Sequence, residues 1–269
     1  MRDAGVPEPR REAGSLLSHV IARDRTFLIG HAEELVGDEH VDRFQEAVAR
    51  RASGEPLQYI TGVQDFYGRE FRVTPDVLIP RPETELLVEA ALEILPREQA
   101  PLICDVGTGS GCIAVTLLCE RTDARGIAVD VSEAALAVAE DNARRHGVGD
   151  RIAFKISDCF ASVDAAAFDI VVSNPPYVSA NALAGLQREV RDHEPRIALS
   201  PGTDGLYVIR HLLQDAPAFL KDNGYLMMEI GFDQGERVQQ LIDERHWRLH
   251  EIRPDLQGIP RIVLVQKRV

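Results

Sequence analysis

The stretch LICDVGTGSG, residues 102–111, decides the fold of this chain. Its first half, Leu102–Val106, is an apolar run with the length of a buried strand. The apolar segment Ser110–Glu120 behind it predicts a helix. Alternate positions of the intervening turn hold glycine: Gly107, Gly109 and Gly111. Glycines there allow a tight turn and a close approach of a ligand to the backbone, so the stretch predicts a strand–turn–helix unit with a binding turn.

The alternation of strands and helices continues over the rest of the chain from Arg81 onward. Further strands are predicted at Gly126–Asp130, Arg151–Ile156, Phe168–Ser173, Tyr225–Ile230, Arg248–Ile252 and Ile262–Val265. Helices are predicted at Glu83–Leu95, from the cap Ser132 to about His146, at Leu206–Leu220 and at Gln234–Glu244. This order predicts an α/β fold, a doubly wound and mostly parallel sheet with helices on both faces. Ligands bind beyond the C-terminal ends of the strands in such folds.

The first 80 residues do not follow this alternation. Apolar residues at helical spacing predict helices at Arg11–Ala22 and Asp38–Ala52, the latter with Asp38 as its N-cap. A short helix is also predicted around Ala32–Val36, with Gly37 as its stop. Aromatic residues around a turn at Gly68 predict a β-hairpin within Gln64–Val73. We therefore expect three parts: a small all-α domain at 1–62, a β-hairpin linker at 63–80 and the α/β domain at 81–269. The all-α domain is interpreted as binding a macromolecular substrate, with a packing lid as the alternative.

Charge and composition argue against several classes of protein. The formal net charge of −13 disfavours a large surface for a nucleic-acid backbone, which needs clustered Lys and Arg. No apolar run approaches the roughly 18 residues of a membrane span, and the N-terminus lacks the apolar segment of a signal peptide. The cysteines lack the close spacing of a zinc or redox site: Cys104, Cys112, Cys119 and Cys159. We expect a cytoplasmic protein with reduced thiols and no metal site, bound neither to nucleic acid nor to a membrane.

Asp130 ends the predicted strand that follows the glycine turn, nineteen residues after Gly111. An acidic residue at this place accepts hydrogen bonds from a ribose diol. The glycine spacing differs from the dinucleotide fingerprint G-x-G-x-x-G, because residue 112 is Cys. A tight turn with a ribose carboxylate and no phosphate cradle favours S-adenosyl-L-methionine over NAD, with a merely structural turn as the alternative. The residues expected to bind it are Gly107, Thr108, Gly109, Ser110, Gly111 and Asp130.

Asp158 and Cys159 follow the third predicted strand at the same edge of the sheet. An adenine ring lying there has its exocyclic amine within reach of Asp158 and one face against Cys159 and Phe160. We therefore expect Asp158 and Cys159 to bind the cofactor. Capping of the next turn is the alternative for Asp158.

The fourth predicted strand ends at the corner Asn174-Pro175-Pro176-Tyr177. Neither proline has an N–H for a strand ladder, and a residue before proline is pushed toward an extended conformation. The Asn174 side-chain carbonyl and the Pro175 backbone carbonyl are able to accept both hydrogens of an –NH₂ group, while Tyr177 stacks on a flat group. Methyl transfer to such a nitrogen depends mainly on positioning. The corner suits adenine, cytosine or a carboxamide, and a plain strand stop is the alternative.

The chain as a whole resembles the class I S-adenosylmethionine-dependent methyltransferases. More closely, it is similar to the family that methylates the glutamine side-chain amide in the Gly-Gly-Gln loop of bacterial peptide-chain release factors. The segments that carry the resemblance are Arg23–Thr26, Gly54–Gly62, Phe66–Gly68, Val77–Glu85, Asp105–Gly111, Asn174–Tyr177, Glu194–Leu199 and Gly202–Leu206. Asn-Pro-Pro-Tyr alone also occurs in DNA adenine methyltransferases, whereas the run Ile79–Glu85 joined to it is highly specific.

This resemblance implies a Rossmann-like class I methyltransferase domain that uses S-adenosyl-L-methionine and releases S-adenosyl-L-homocysteine. It implies release factors as the protein substrates, and we expect a monomer. The implied cofactor contacts are Gly107–Gly111, Asp130, Cys159 and Asn174. The implied substrate contacts are Asn174, Pro175, Pro176 and Tyr177, of which Asn174 and Pro175 are interpreted as catalytic. Cys159 departs from the family pattern, because larger apolar side chains are usual at its position.

The role of Arg81 and Glu83 and the choice between three functions stay open from the sequence. Arg81 and Glu83 are interpreted as a structural ion pair, with shaping of the site's mouth as the alternative. A nucleic-acid amino-methyltransferase is the alternative enzyme, although neither a basic face nor a target-recognition insertion is evident. A non-catalytic module that binds a release factor or the ribosome is the alternative of a different class, and the intact glycine turn, Asp130 and Asn174 argue against it.

Overall fold

The computed structural model describes residues 1–97, 99–164 and 167–269. The N-terminal region is helical and is followed by a two-stranded hairpin. Its helices are α1 (Pro9–Ile21), α2 (Arg25–Gly30), α3 (Asp38–Ala52) and α4 (Leu57–Thr61), and the hairpin strands are β1 (Val63–Phe66) and β2 (Arg69–Arg72). The hairpin turns through Tyr67 and Gly68, both of which have positive φ, as a two-residue turn of the I′ type requires.

The remaining elements alternate between helix and strand, as the sequence predicts. They are α5 (Glu85–Ile94), β3 (Leu102–Val106), α6 (Cys112–Glu120), β4 (Arg125–Asp130), α7 (Glu133–Arg145), β5 (Ile152–Ile156), β6 (Phe168–Ser173), α8 (Arg188–His193), α9 (Arg196–Leu199), α10 (Tyr207–Asp215), β7 (Leu220–Glu229), α11 (Gly235–Leu241), β8 (Trp247–Pro254) and β9 (Pro260–Lys267). Within the described residues, no helix combines the length and the apolar character needed to cross a membrane.

Seven strands form the central sheet in the order β5-β4-β3-β6-β7-β9-β8. The pairs from β5 to β7 are parallel, and β9 runs antiparallel to both β7 and β8. The fold class is therefore confirmed as α/β with a mostly parallel sheet. Parallel pairing brings the carboxyl ends of β3, β4, β5 and β6 to one edge, which is where the glycine turn, Asp130, Asp158 and Asn174 follow their strands.

Apolar side chains cover both faces of the sheet because successive residues of a strand point to opposite sides. Ile103 packs in the cluster that contains α5 and α6, whereas Cys104 packs in the cluster that contains α10 and Trp247. The hairpin belongs to the first of these clusters through the buried rings Phe66 and Phe71. The Arg72 backbone also exchanges hydrogen bonds with the buried Asn142 side chain on α7, at 2.8 and 3.0 Å.

Two predictions for the helical region are wrong. Residues 32–36 are turn and coil, and the short helix is α2 instead, where the Asp24 side chain accepts a hydrogen bond from Phe27 N at 2.7 Å. Leu35 is almost fully exposed, so this segment has no packed apolar face that would stabilise a helix. Asp38 is the first residue of α3 and Gly37 is its N-cap. The helices α8 and α9 were not predicted.

Candidate active site

The glycine turn after β3 is held against the end of β4 and leaves one side open. Gly107 N and Thr108 N donate to Val129 O at 2.8 and 3.0 Å. Gly107 and Gly109 have φ of 74° and 55°, and a Cβ built on either would meet no atom within 4 Å. A side chain at these positions would be strained and would fill the open side. The turn therefore forms a cradle with backbone alone at its surface.

Gly111 has a different place from the other glycines of the turn. Its φ is 80°, and a Cβ there would lie 3.1 Å from the Cβ of Ala139 on α7. Gly111 does not line the cavity described below, although it was predicted to bind the cofactor. Its position is explained by the close packing of the turn on α7.

Asp130 is fixed by backbone donors at the end of β4. Its Oδ2 accepts from Gly109 N and its Oδ1 accepts from Ser132 N, each at 2.9 Å. A carboxylate oxygen has more than one lone pair, so both oxygens keep accepting capacity on their free side. The side chain thus links the glycine turn to the start of α7 and still presents acceptors to the cavity.

A cavity of about 400 Å³, here called the donor cavity, lies at this edge of the sheet. All but one of the predicted cofactor residues line it: Gly107, Thr108, Gly109, Ser110, Asp130, Asp158, Cys159 and Asn174. The exception is Gly111. The volume is within the usual range of small-molecule sites, roughly 300–1,000 Å³.

The turn after β5 gives Asp158 and Cys159 to the donor cavity. Ser157 Oγ accepts from Ser162 N at 2.9 Å, so Ser157 stabilises this turn and Asp158 stays exposed at the cavity. Cys159 has a positive φ of 46°. Its burial, together with the neighbouring Asp158 carboxylate, raises the pKa of the Cys159 thiol to about 12. A neutral thiol is therefore a weakly polar part of the cavity wall.

Asn174 takes part in a chain of hydrogen bonds that no sequence pattern predicts. Its Nδ2 donates to Thr84 Oγ1 at 3.0 Å, and Thr84 Oγ1 donates to Glu229 Oε2 at 2.6 Å. The Tyr177 hydroxyl donates to the other oxygen of Glu229 at 3.3 Å. Burial raises the pKa of the Glu229 carboxyl and that of the Tyr177 hydroxyl. We call Asn174, Thr84, Glu229 and Tyr177 the corner network.

A second cavity of about 660 Å³, here called the acceptor cavity, lies on the other side of the corner. Asn174 and Pro175 line both cavities, whereas Tyr177 lines only the acceptor cavity and Pro176 only the donor cavity. Pro176 was predicted to contact the substrate, but it lines the donor cavity and not the acceptor cavity. The other residues common to the two walls are Leu78, Arg81 and Ala198.

Arg81 pairs with Glu194 and not with Glu83. Its Nη2 lies 2.5 Å from Glu194 Oε1, and the other Glu194 oxygen accepts from Ile79 N at 3.4 Å. Burial raises the pKa of Glu194, and the Arg81 guanidinium opposes that shift. Glu83 is exposed. The ion pair thus joins the segment before α5 to the segment before α9, and Arg81 and Glu194 both line the acceptor cavity.

Residues of the helical region also reach the acceptor cavity. Pro56 and Gln58 line it together with Glu189 of α8. The buried Arg51 of α3 pairs with Glu12 of α1 and, at 2.9 Å, with Glu189. Arg51 therefore connects the N-terminal helices to α8 in the segment after β6, next to this cavity.

Comparisons with known proteins agree with the fold described above. The family described as "PrmC N-terminal domain" matches residues 1–62, and the family described as "Methyltransferase small domain" matches residues 83–191. Among solved structures, a methyltransferase from Pyrococcus furiosus has a TM-score of 0.57 at 14% identity and covers 84% of this chain and 100% of its own. A ribosomal protein L11 methylase from Lactobacillus delbrueckii subsp. bulgaricus has a TM-score of 0.53 at 19% identity, covering 77% and 89%. These two establish the fold alone.

Two curated relatives are much more similar. A release factor glutamine methyltransferase from Koribacter versatilis (strain Ellin345) is 45% identical over 98% of this chain and 93% of its own length. One from Cereibacter sphaeroides is 46% identical over 97% of this chain and 92% of its own length. Because the identity extends over almost the full length of both chains, this chain belongs to the release factor glutamine methyltransferase family.

Proposed function

We propose that this protein methylates the side-chain amide nitrogen of the glutamine in the Gly-Gly-Gln motif of peptide-chain release factors. The methyl donor is S-adenosyl-L-methionine and the product derived from it is S-adenosyl-L-homocysteine. The observation that carries the proposal is the common wall of the donor and acceptor cavities at Asn174 and Pro175. A transfer between two molecules requires such a place, where each molecule has its own cavity and their reacting groups meet.

The donor cavity fits S-adenosyl-L-methionine in its residues. The cradle at Gly107 and Gly109 admits a ligand against the backbone because no Cβ fills it. Asp130, fixed by two backbone donors, keeps acceptors for the hydroxyls of a ribose. Asp158 and Cys159 supply an acceptor and a weakly polar surface for the adenine. When bound, the cofactor supplies a methyl group attached to a positively charged sulfur.

The corner supplies positioning for the acceptor nitrogen. The Asn174 Oδ1 and the Pro175 carbonyl accept the two hydrogens of the glutamine –NH₂ group, which fixes the plane of a weak nucleophile. Holding a nitrogen in an attacking orientation replaces much of the entropy cost of the reaction. The nitrogen gains the methyl group and releases one of its hydrogens as a proton. Since burial raises the pKa of Tyr177, its hydroxyl stays protonated and does not serve as the base.

The acceptor is a protein in this proposal. Residues from the helical region, Pro56 and Gln58, line the acceptor cavity together with α8, which suits a macromolecule that contacts both parts of the chain. The net charge of −13 disfavours a nucleic-acid substrate, although the corner itself suits adenine on the same chemical grounds. Release factors act on ribosomes, so we also infer a cytoplasmic site of action, and we expect the monomer to be active.

Transfer of a radioactive methyl group tests the proposal. The protein is incubated with methyl-labelled S-adenosyl-L-methionine and a release factor, with a release factor whose motif glutamine is replaced, or with DNA. We expect label in the first release factor only. Label in DNA would contradict the proposal and favour the amino-methyltransferase of nucleic acid. Absence of cofactor binding in calorimetry would favour the non-catalytic module.

Asn174→Ala is expected to reduce turnover by about 100-fold or more, because it removes one of the two acceptors that orient the amide. The fold should remain, since Asn174 lies at the surface of two cavities and its neighbouring prolines still end the strand. Single-turnover kinetics measure the first quantity and circular dichroism the second. Unchanged turnover would remove Asn174 from the mechanism.

A further inference from the structure

The corner network contains two buried members that lie far from Asn174 in the chain. Thr84 follows Pro82 and Glu83 just before α5, and Glu229 ends β7, 145 residues later. Thr84 is 2% exposed and Glu229 is 1% exposed. A buried hydroxyl and a buried carboxylate that lose their partners are costly, so a network of this kind holds its members in one arrangement.

Counting hydrogens gives the network a direction. Both Glu229 oxygens accept, Oε2 from Thr84 at 2.6 Å and Oε1 from Tyr177 at 3.3 Å, so the single hydroxyl hydrogen of Thr84 is used in its bond to Glu229. Thr84 Oγ1 then has only lone pairs left for Asn174. The group that meets it at 3.0 Å must be a donor, which is Asn174 Nδ2. A flipped amide would set its carbonyl oxygen against a hydroxyl oxygen without a free hydrogen.

We propose that Thr84 and Glu229 are positioning residues that fix the Asn174 side-chain amide with its nitrogen inward and its oxygen toward the acceptor. This inference rests on the proposed function, because the orientation matters only if Asn174 Oδ1 receives an –NH₂ group. An asparagine free to flip would present its own –NH₂ to the substrate half of the time and would repel it. Tyr177 also supports this orientation, since its hydroxyl donates a hydrogen bond to the second oxygen of Glu229.

Replacement of the Thr84 hydroxyl tests the proposal directly. Thr84→Val keeps the shape and removes both hydrogen bonds, and Thr84→Ser restores the hydroxyl. Thr116→Val is the matched control, because Thr116 on α6 is equally buried and its Oγ1 has no hydrogen-bond partner. We expect kcat to fall about 10- to 100-fold in Thr84→Val, to recover to within a few-fold in Thr84→Ser and to be unchanged in Thr116→Val.

Binding measurements separate positioning from a loss of the site. The Kd of S-adenosyl-L-methionine, measured by calorimetry, and the KM of the release factor should change much less than kcat. If Thr84→Val does not fold, Thr84→Ala removes the same hydroxyl without adding a methyl group to the pocket. A folded Thr84→Val with the kcat of the wild type overturns the proposal, and so does a Thr84→Ser as slow as Thr84→Val.

A second readout needs no turnover. The side-chain ¹⁵N amide signals of Asn174, identified by their disappearance in Asn174→Asp, should shift and exchange faster with solvent in Thr84→Val. They should resemble the wild type in Thr84→Ser and Thr116→Val. If the Asn174 amide signals in Thr84→Val are the same as in the wild type, the proposed network is overturned, whatever the activity of the variant. If the wild type methylates no release factor but Thr84→Val still shifts the Asn174 signals, the proposed function is contradicted. The proposed orientation of Asn174 is then still supported.

Discussion

A fully buried carboxyl group stands beneath the glycine turn at position 105. One oxygen of Asp105 accepts from Thr108 Oγ1 at 2.7 Å and from Ala114 N at 3.3 Å. The other oxygen is buried without a hydrogen-bond partner. Burial raises the pKa of Asp105 to about 7, against an ordinary value of 3.8, and its bonds to Thr108 and Ala114 oppose the shift. The charged form is thus disfavoured in the folded protein.

The pH dependence of stability follows from this shift. The contribution of Asp105 to stability is fully present below about pH 3.8 and is lost as the pH rises to about 7, because only the unfolded chain ionises readily in between. The Asp105→Asn variant should therefore gain stability relative to the wild type as the pH rises from 5 to 7.5, by up to about 1.4 kcal/mol per pH unit. Urea unfolding at several pH values measures the difference.

An exposed carboxyl group provides the control for this experiment. Arg245 lowers the pKa of Asp243 to about 2. Asp243→Asn should therefore show no change relative to the wild type over the same pH interval. Parallel stability curves for Asp105→Asn and Asp243→Asn would contradict the assigned cause.

The position of a site residue can be predicted from the sequence where that residue stands at the end of a strand. Asp130 and Asn174 line the donor cavity because each ends, or directly follows, a parallel strand. Thr84 and Glu229 could not be found in this way, because their contact joins residues far apart in the chain and neither belongs to a local pattern. The same holds for Arg81, whose partner proved to be Glu194 rather than its neighbour Glu83.

Loop residues contact the backbone of the Asn174–Tyr177 corner. Gln234 Nε2 donates to Tyr177 O and to Gly205 O, each at 3.1 Å, and Gln234 Oε1 accepts from Gly231 N at 2.9 Å. A Cβ on Gly205 would lie 2.2 Å from Tyr177 O. The segments before α10 and α11 are thereby packed on the backbone of the corner, and Gly205 has no room for a side chain.

Gly205→Ala should lower the free energy of unfolding by more than the strain of an alanine with positive φ accounts for. Gly205 has φ of +74° and Gly147 has φ of +70°, but only a Cβ on Gly205 meets backbone. Gly147→Ala should cost about 1–2 kcal/mol of unfolding free energy, and Gly205→Ala at least about twice that with reduced kcat. Chemical denaturation and turnover of both variants measure this, and equal losses would show that the contact with Tyr177 is unimportant.

The length of a helix or strand decides whether the sequence predicts it. The strands β3 and β6 match their predicted bounds, since an apolar run between turn residues leaves little choice. The helices α2, α8 and α9 span six residues or fewer, which is too short for a helical period to show. The Asp24 cap is the sequence signal for α2, and Gly37, the predicted stop of a helix at 32–36, is instead the N-cap of α3.

Ion pairs beside the acceptor cavity connect the N-terminal helices to the α/β domain. Arg51 is buried in α3 and meets a carboxylate from α1 and another from α8, so its charge is shared between the N-terminal helices and the loop after the corner. The hairpin is held separately, by Phe66, Phe71 and Asn142. We propose that 1–62, 63–80 and 81–269 act as three parts, with the first contacting the release factor.

Glu189→Gln should weaken the hold of the helical region on α8. On the proposed function, we expect the KM of the release factor to rise about 3- to 10-fold, with little change in the Kd of S-adenosyl-L-methionine. Asp192→Asn is the control on the same helix, because Asp192 pairs only with Arg188 and Arg191 of α8 among the described ion pairs. Steady-state kinetics with varied release factor measure both, and an equal rise in the two variants would contradict the role of Arg51.

The common wall of the two cavities also sets a distance. A side chain that enters the acceptor cavity must reach as far as Asn174 and Pro175 before its end group meets the donor cavity. Asparagine carries the same amide as glutamine but is shorter by one C–C bond, about 1.5 Å, and a displacement of that size is enough to lower a rate about 100-fold. On the proposed function, we therefore expect this wall to select glutamine over asparagine by the length of the side chain that carries the amide.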